Sequence, residues 1–239
     1  MEISPVVKTA VSDAVFAHLV DEILSGRLAV DAALPSEREM ALAFAVNRHA
    51  VREALKRLQQ ARLVRISQGG KTRVQNWRQT AGLDVLSTLA ATGVVPAAQV
   101  ARDIMVMRRS VAADAARLCA SRASGAQLAT ITAAAAAYPS ERTAESIAAD
   151  LVFWAEVIDG SGNVAYRLAL NTLVAAFTDI GYELIVELGM AAELADRDAH
   201  TALAQRLAAR DGEGAHRLAD ELLGRVVETL SAADHSGAR

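Results

Sequence analysis

Apolar residues in the segment 34–74 recur at spacings that predict first two helices and then two strands. Ser36 is a typical N-cap residue and Glu39 completes a capping box, so a helix is predicted from Ser36 to about Phe44. Asn47 is predicted to cap a second helix. The buried face of that helix is marked by four apolar residues at helical spacing: Val51, Ala54, Leu55 and Leu58.

The residues after the second helix predict a short hairpin. Two apolar stretches, 63–66 and 72–74, resemble strands, and Gly69-Gly70 lies between them. Glycine tolerates the positive φ angles of tight hairpin turns. The segment therefore predicts a helix-turn-helix followed by a two-stranded wing.

The rest of the chain reads as helical. Residues 9–25 predict a helix that packs beneath the helix-turn-helix. Beyond residue 82, about seven helices are predicted: 82–92, 97–122, 125–138, 141–159, 163–188, 190–210 and 212–232. The predicted fold is mainly α, with an N-terminal winged helix-turn-helix over 1–77 and a C-terminal all-α bundle over 78–239.

Charge points to a nucleic-acid partner. Between Leu34 and Arg78 there are ten basic and three acidic residues, a net charge of +7, whereas the whole chain carries −3 and the remainder therefore −10. Such a basic block is expected where phosphates are neutralised. The outer face of the second helix contributes four of the ten basic residues, Arg48, Arg52, Lys56 and Arg57, and also carries His49. The alternative is a solvated helix face beside an ordinary hairpin.

Composition narrows the class of protein further. Hydrophobic residues make up 52% and aromatic residues 4% of the chain, which favours helices packed through small side chains. No apolar run is long enough to span a bilayer and the first residues lack a signal-peptide core, so we expect a cytoplasmic protein without a membrane partner. The single Cys119 is expected to be a buried, unpaired thiol. Without a catalytic triad, paired catalytic carboxylates or a cofactor motif, neither an enzyme nor a cofactor is expected.

The N-terminal motifs resemble the GntR family of bacterial transcription regulators. The resemblance lies in the stretches 34–39, 46–48, 51–55 and 63–64 and in the Gly69-Gly70 tip. It implies binding to double-stranded, pseudo-palindromic operator DNA, with Ala50 beside the groove-facing start of the recognition helix. The DNA-binding residues that it implies are Ser36, Arg38, Asn47, Arg48, His49 and Arg52, with Gln68, Gly69 and Gly70 of the wing reaching the minor groove.

Three positions depart from the family pattern, which usually has glycine there. This chain has Asp31, Ala45 and Arg62 instead. If those positions need positive φ angles, each residue costs on the order of 1 kcal/mol.

The helical half resembles the ligand-sensing domain of the FadR subgroup of the same family. The resemblance rests on residues around Arg108 and on a second group that includes Asp150, Phe153 and Asn171. It extends to mycobacterial members that regulate mammalian-cell-entry lipid-import operons. Together with the N-terminal motifs it covers nearly the whole chain.

Many members of the subgroup hold a divalent metal with one aspartate and three histidines. The resemblance places Asp150 and His200 at two of these positions but Trp154 and Leu222 at the others. His216 cannot substitute for the last, because helical rotation puts it about 120° from the face of Leu222. No metal is therefore expected, since two ligands bind zinc-like ions weakly.

Replacing two imidazoles by apolar groups suits a lipid-like effector, such as a fatty acid or acyl-CoA. Six residues are predicted to bind it: Arg108, Asp150, Trp154, Asn171, His200 and Leu222. Arg108 is expected to anchor a carboxylate or phosphate; the alternative is that it pairs with Asp150.

The sequence thus predicts a homodimeric, effector-controlled transcription regulator that acts as a repressor. One alternative is a sensor of a small carboxylate, assisted by a metal at Asp150 and His200. Another is an architectural DNA-binding protein without sequence preference.

Overall fold

A computed structural model describes residues 11–67, 70–139, 144–180 and 196–237 of the chain. The chain divides into two compact units, one ending at Ala97 and one beginning at Ala98. The sequence predicted the domain boundary at residue 77, just after the wing. The structural division lies about twenty residues later, so that residues 78–97 belong to the first unit. We describe each unit by itself.

Three helices and a hairpin form the part of the first unit in which the winged helix-turn-helix was predicted. Helix α1 spans Val11–Leu24, α2 spans Glu37–Ala43 and α3 spans Arg48–Gln60. Helix α1 packs against α3, and α2 also packs against α3. The two helices and the turn predicted for the segment 34–60 are confirmed.

The hairpin is shorter than its predicted strands but has the expected alternation. Strand β1, Val64–Arg65, pairs antiparallel with β2, Arg73–Val74, so that Val64 lies opposite Val74. The two valines are buried and the two arginines are exposed. A bridge from Ala33 to Arg73 adds a further contact at this edge.

The segment after the wing is helical where the sequence predicted a linker. A one-turn helix α4 covers Trp77–Thr80, because Asn76 accepts a hydrogen bond from the backbone N–H of Arg78 and acts as its cap. A 3-10 turn over Leu83–Val85 leads into α5, Leu86–Ala91. The helix predicted at 82–92 is therefore present, but it belongs to the first unit and not to the bundle.

The three departures from glycine all have positive φ angles, as expected. The values are 63° at Asp31, 52° at Ala45 and 56° at Arg62. Each side chain is thus held in a region that costs about 1 kcal/mol for a residue with a Cβ atom. A fourth such residue, Arg210 at 59°, lies in the helical half and was not predicted.

The second unit is all helical in the part that is described. Its helices are α6 (Ala97–Arg122), α7 (Gly125–Ala136), α8 (Ala144–Gly160), α9 (Val164–Ile180), α10 (Arg197–Ala208) and α11 (Gly212–Gly237). Helix α7 packs against α8 and α10, α10 packs against α11, and α8 packs against α9. The mainly helical fold with a small hairpin is therefore confirmed. None of the helices in the described ranges is long and apolar enough to cross a membrane.

Small side chains let α6 approach α8 closely. A Cβ atom at Gly160 would lie 2.6 Å from the sulfur of Cys119, so only glycine fits there. Cys119 is a free, fully buried thiol, as predicted. Desolvation raises the pKa of this thiol to about 11, and the charge of Arg210 offsets only part of that rise.

Candidate DNA-binding surface and effector site

Two capped helices position the candidate DNA-binding surface. The Ser36 hydroxyl accepts a hydrogen bond from the Glu39 backbone N–H at 3.3 Å, and the Glu39 carboxylate accepts one from the Ser36 N–H at 2.8 Å. The predicted capping box is thus confirmed. Asn47 caps α3, because its side-chain oxygen accepts from the Ala50 N–H at 2.8 Å. The amide nitrogen of Asn47 and the second lone pair of its oxygen are left for other contacts.

The rotation of α3 about its axis agrees with the sequence. All four residues predicted for its inner face are buried: Val51, Ala54, Leu55 and Leu58. Arg48, His49 and Arg52 are exposed on the other side. Ala50, which the resemblance placed at the start of the recognition helix, is only 7% exposed.

An acidic partner orients one of the predicted DNA contacts. The Arg52 guanidinium donates to both carboxylate oxygens of Glu37, at 2.8 to 3.2 Å, and thereby joins α3 to α2. These hydrogen bonds lower the pKa of the Glu37 carboxyl. The pair is largely exposed, so it fixes a side-chain direction more than it stabilises the fold.

The remaining predicted contacts lie on α2 and the wing. Arg38 is exposed on α2, next to the capping box. Gly70 is exposed at the hairpin end, and its N–H donates to the Ser67 carbonyl at 3.0 Å. Gln68 and Gly69 lie outside the described residues. The described part of the motif therefore presents Arg38, Arg48 and Arg52 to solvent on its two capped helices.

In the second unit, three of the predicted effector residues, Arg108, Asp150 and His200, meet around one buried carboxylate. Asp150 on α8 is 5% exposed. Its Oδ2 atom accepts a hydrogen bond from Nη2 of Arg108 on α6 at 2.7 Å, and its Oδ1 atom accepts one from the Tyr138 hydroxyl at 3.1 Å. The Nε2 atom of His200 on α10 lies 3.8 Å from Oδ1, too far for a direct hydrogen bond.

The charge on Asp150 is set by opposing effects. Burial raises the pKa of its carboxyl and is the largest single effect, but Arg108, His200 and Tyr138 together lower it more, so the net shift is downward. Asp150 is therefore ionised at neutral pH and forms a neutral pair with Arg108. The alternative that Arg108 pairs with Asp150 is the arrangement found, which weakens its predicted role as a free anchor for an anion.

Aromatic rings hold His200 in place. Tyr138 stacks on its imidazole with the ring centroids 3.9 Å apart, and Phe153 meets it edge-on at 4.9 Å. The Nδ1 atom of His200 lies 2.7 Å from the Asp196 carbonyl oxygen. Tyr138 was missed at the sequence level; the available signal was one polar aromatic residue at the end of an alanine-rich helix.

Trp154 and Leu222 stand beside this cluster as apolar groups. Both are fully buried in one hydrophobic core with Phe153. Arg108 and Trp154 also line a small cavity of about 10 Å³ between α6, α8 and α9. Asn171 is not brought to the site, since it is exposed on α9 and is not among the residues that line the cavity.

The residues do not fit the divalent metal that the resemblance implies. Both oxygens of Asp150 already accept hydrogen bonds, and an indole and an isobutyl group occupy the places of two imidazoles. In the described ranges, no three His, Cys, Asp or Glu side chains cluster closely enough to share an ion. A stable site for a zinc-like ion needs three or four protein ligands.

Comparisons with known proteins agree with this division of the chain. The sequence model of the gntR family of bacterial regulatory proteins matches residues 11–74, and that of the FCD domain matches residues 103–225. The HTH-type transcriptional regulator Mce2R of Mycobacterium tuberculosis is 32% identical over 230 residues, which cover 93% of this chain and 92% of that protein. The fatty acid metabolism regulator protein of Edwardsiella ictaluri is 31% identical over 166 residues, or 69% of this chain and 68% of that protein.

A solved structure supports the fold alone. It is that of Lar, which controls the expression of the Listeria monocytogenes agr system, with a TM-score of 0.56, 13% identity and coverage of 97% of this chain and 99% of that one. The function is shown by the two family matches, because the first coincides with the winged helix-turn-helix and the second with the helical unit. The chain belongs to the GntR family and is a transcription regulator with an FCD ligand-sensing domain.

Proposed function

We propose that the protein is a cytoplasmic, homodimeric repressor that binds a pseudo-palindromic operator and is controlled by a lipid-like effector in its helical unit. The proposal of a lipid-like effector rests on one observation: Trp154 and Leu222 are buried beside the Arg108–Asp150 pair. A mostly apolar site with a few polar groups suits an amphipathic ligand. The name of the Edwardsiella ictaluri relative, a regulator of fatty acid metabolism, supports the same class.

The effector must open the site in order to enter it. The cavity beside Trp154 measures about 10 Å³, roughly the space of a single water molecule. An acyl chain placed there would therefore have to separate α6, α8 and α9. Such a separation would favour a different dimer geometry, in which two recognition helices no longer match successive major grooves.

Alanine substitutions test the DNA-binding half. Arg48→Ala and Arg52→Ala are each expected to weaken operator binding by about 1–3 kcal/mol and to leave helicity unchanged, because both side chains are exposed. Gel-shift titration at fixed salt measures the loss. Arg27→Ala is the matched control, since this exposed arginine pairs with Asp21 and Glu22 outside the motif. Unchanged operator affinity in both α3 variants would remove α3 as the recognition helix.

A homologous series of straight-chain lipids tests the effector class. Each buried methylene contributes about 0.8 kcal/mol, so affinity is expected to rise roughly fourfold per methylene until the site is full, and operator affinity is expected to change with it. Trp154→His should flatten the series by making the site polar. Binding that does not depend on chain length, or a response to small carboxylates such as citrate alone, would favour the alternative sensor of small acids.

A further inference from the structure

Glu37 holds the Arg52 side chain by one particular edge of its guanidinium. The Nε atom donates to the two carboxylate oxygens of Glu37 at 3.1 and 3.2 Å, and Nη2 donates to one of them at 2.8 Å. A guanidinium has five N–H donors in a rigid fork, with Nε and Nη2 along one edge and Nη1 and Nη2 along another. The carboxylate occupies the first edge and leaves the second without a partner among the described residues.

The unoccupied edge belongs to a side chain that a DNA duplex can reach. Arg52 lies one helical turn after Arg48 on the exposed side of α3, and its own side chain is 55% exposed. The bond to Glu37 joins it to α2, so that its direction is set by two helices. A duplex lying against α3 would therefore meet a guanidinium whose orientation is fixed before binding.

The charge of the pair favours a base over a phosphate as its target. Arg38 and Arg48 form no ion pair within the described ranges, whereas Arg52 and the ionised Glu37 together have no net charge. Binding to phosphates depends on side chains that neutralise them. A neutral pair gains little in this way, but its N–H groups can still donate to the uncharged edge of a base.

Two parallel N–H donors match one base in the major groove. Guanine presents two acceptors there, O6 and N7, whereas adenine and thymine present one each and cytosine presents a donor. We propose that Arg52 reads a guanine in each operator half-site through its Nη1–Nη2 edge, and that Glu37 is the positioning residue that keeps this edge towards the base. This inference rests on the operator binding proposed above and names a base and a further residue for it.

Replacement of single atoms in the DNA tests the contact of Arg52. The preferred sequence of the full-length protein is first selected from a pool of random duplexes, and each guanine in it is then replaced by 7-deazaguanine, which lacks the N7 acceptor. At one guanine per half-site, the replacement is expected to weaken binding about fivefold in gel-shift titrations of the unmodified protein and to have no effect in Arg52→Ala. Equal losses in both proteins at every guanine would overturn the inference. Selection of no preferred sequence would overturn the proposed operator binding as well.

Two acid-to-amide variants separate the positioning role of Glu37 from its charge. Glu37→Gln and Glu53→Gln each remove one negative charge near Arg52. Glu53, however, is hydrogen-bonded to Lys56 on its own helix and not to Arg52. Both variants should bind random DNA about two- to threefold more tightly, because one carboxylate fewer faces the phosphates.

Only Glu37→Gln is expected to change the base preference as well. A neutral amide holds the guanidinium less firmly than a carboxylate does, so the preference for guanine at the position read by Arg52 should fall about fivefold. The side chains of Glu37 and Arg52 are 35% and 55% exposed, so the variants are expected to fold. A preference for guanine that is unchanged in Glu37→Gln, or that falls equally in Glu53→Gln, would overturn the positioning role.

Discussion

The Arg108→Met variant is expected to lose about 3–5 kcal/mol of unfolding free energy at neutral pH, because it leaves the Asp150 carboxylate buried without its counter-charge. Methionine keeps much of the side-chain volume, so the loss reports charge more than packing. Denaturant unfolding in a Trp77→Phe background measures it, since Trp154 then reports the helical unit alone. Equal stability of the variant and the unmodified protein would show that the pair is not buried in solution.

The pH dependence of this loss has a definite sign. In the unmodified protein the pKa of Asp150 is below its ordinary value, so its contribution to stability is present at neutral pH and is lost as pH falls through the folded-state pKa. Without Arg108, burial raises that pKa, so the carboxyl gains a proton at a higher pH than in the unmodified protein and its buried charge disappears. The defect should therefore shrink on acidification.

Two further variants act as controls for the ion pair. Arg117→Met breaks a pair with Asp114 whose side chains are 41% and 32% exposed, so it should cost less than about 1 kcal/mol. The double variant Arg108→Met, Asp150→Leu removes both charges and should recover much of the stability, because apolar replacements of a buried pair are often neutral. A double variant no more stable than Arg108→Met would assign the defect to packing.

Leu55→Ala is expected to destabilise the DNA-binding unit by about 2–5 kcal/mol. Leu55 is 3% exposed on the inner face of α3, and truncation would leave a cavity in the core of this unit. Chemical denaturation followed through Trp77 in a Trp154→Phe background measures the change. Leu42→Ala is the matched control, because Leu42 is 73% exposed on α2 and its truncation should cost at most about 0.5 kcal/mol. Equal effects of the two variants would mean that the inner face of α3 has been assigned wrongly.

The DNA-binding motif could be read from the sequence because its signals are local. A cap and its partner lie three residues apart, as in Ser36 and Glu39, and the buried residues of α3 repeat at helical spacing. The positive φ angles at Asp31 and Ala45 could be anticipated for a related reason. The family that the chain resembles usually has glycine there, and both residues have positive φ angles in this chain.

The buried cluster around Asp150 was only partly predictable, because its contacts join residues that are distant in the chain. Asp150, Trp154 and His200 were anticipated, but the stacking of Tyr138 on His200 depends on how α7 packs against α10. No spacing rule encodes such a contact. Asn171 lies apart from the cluster for the same reason, since the sequence pattern gave its position along the chain and not which face of α9 is exposed.

The composition of the segment after the wing did not predict its structure. Residues 75–80 are short and polar, a pattern that is typical of linkers. Asn76 nevertheless caps a one-turn helix, and the Thr80 hydroxyl donates to the Arg62 carbonyl at 2.8 Å. That hydrogen bond ties the segment back to the end of α3, so the compact unit extends beyond the motif.

Because α6 and α8 approach closely at Gly160, Cys119 between them can report how often the helical unit opens. The thiolate is the reactive form of cysteine, and a fully buried thiol with a pKa of about 11 has almost none of it at neutral pH. A thiol reagent must therefore wait for the helices to part, and labelling at the single cysteine follows the free energy of that opening. An effector that separates these helices, as proposed for the lipid-like ligand, raises the population of the open form and therefore speeds the labelling. Mass spectrometry of one thiol can thus rank unlabelled ligands in the absence of DNA.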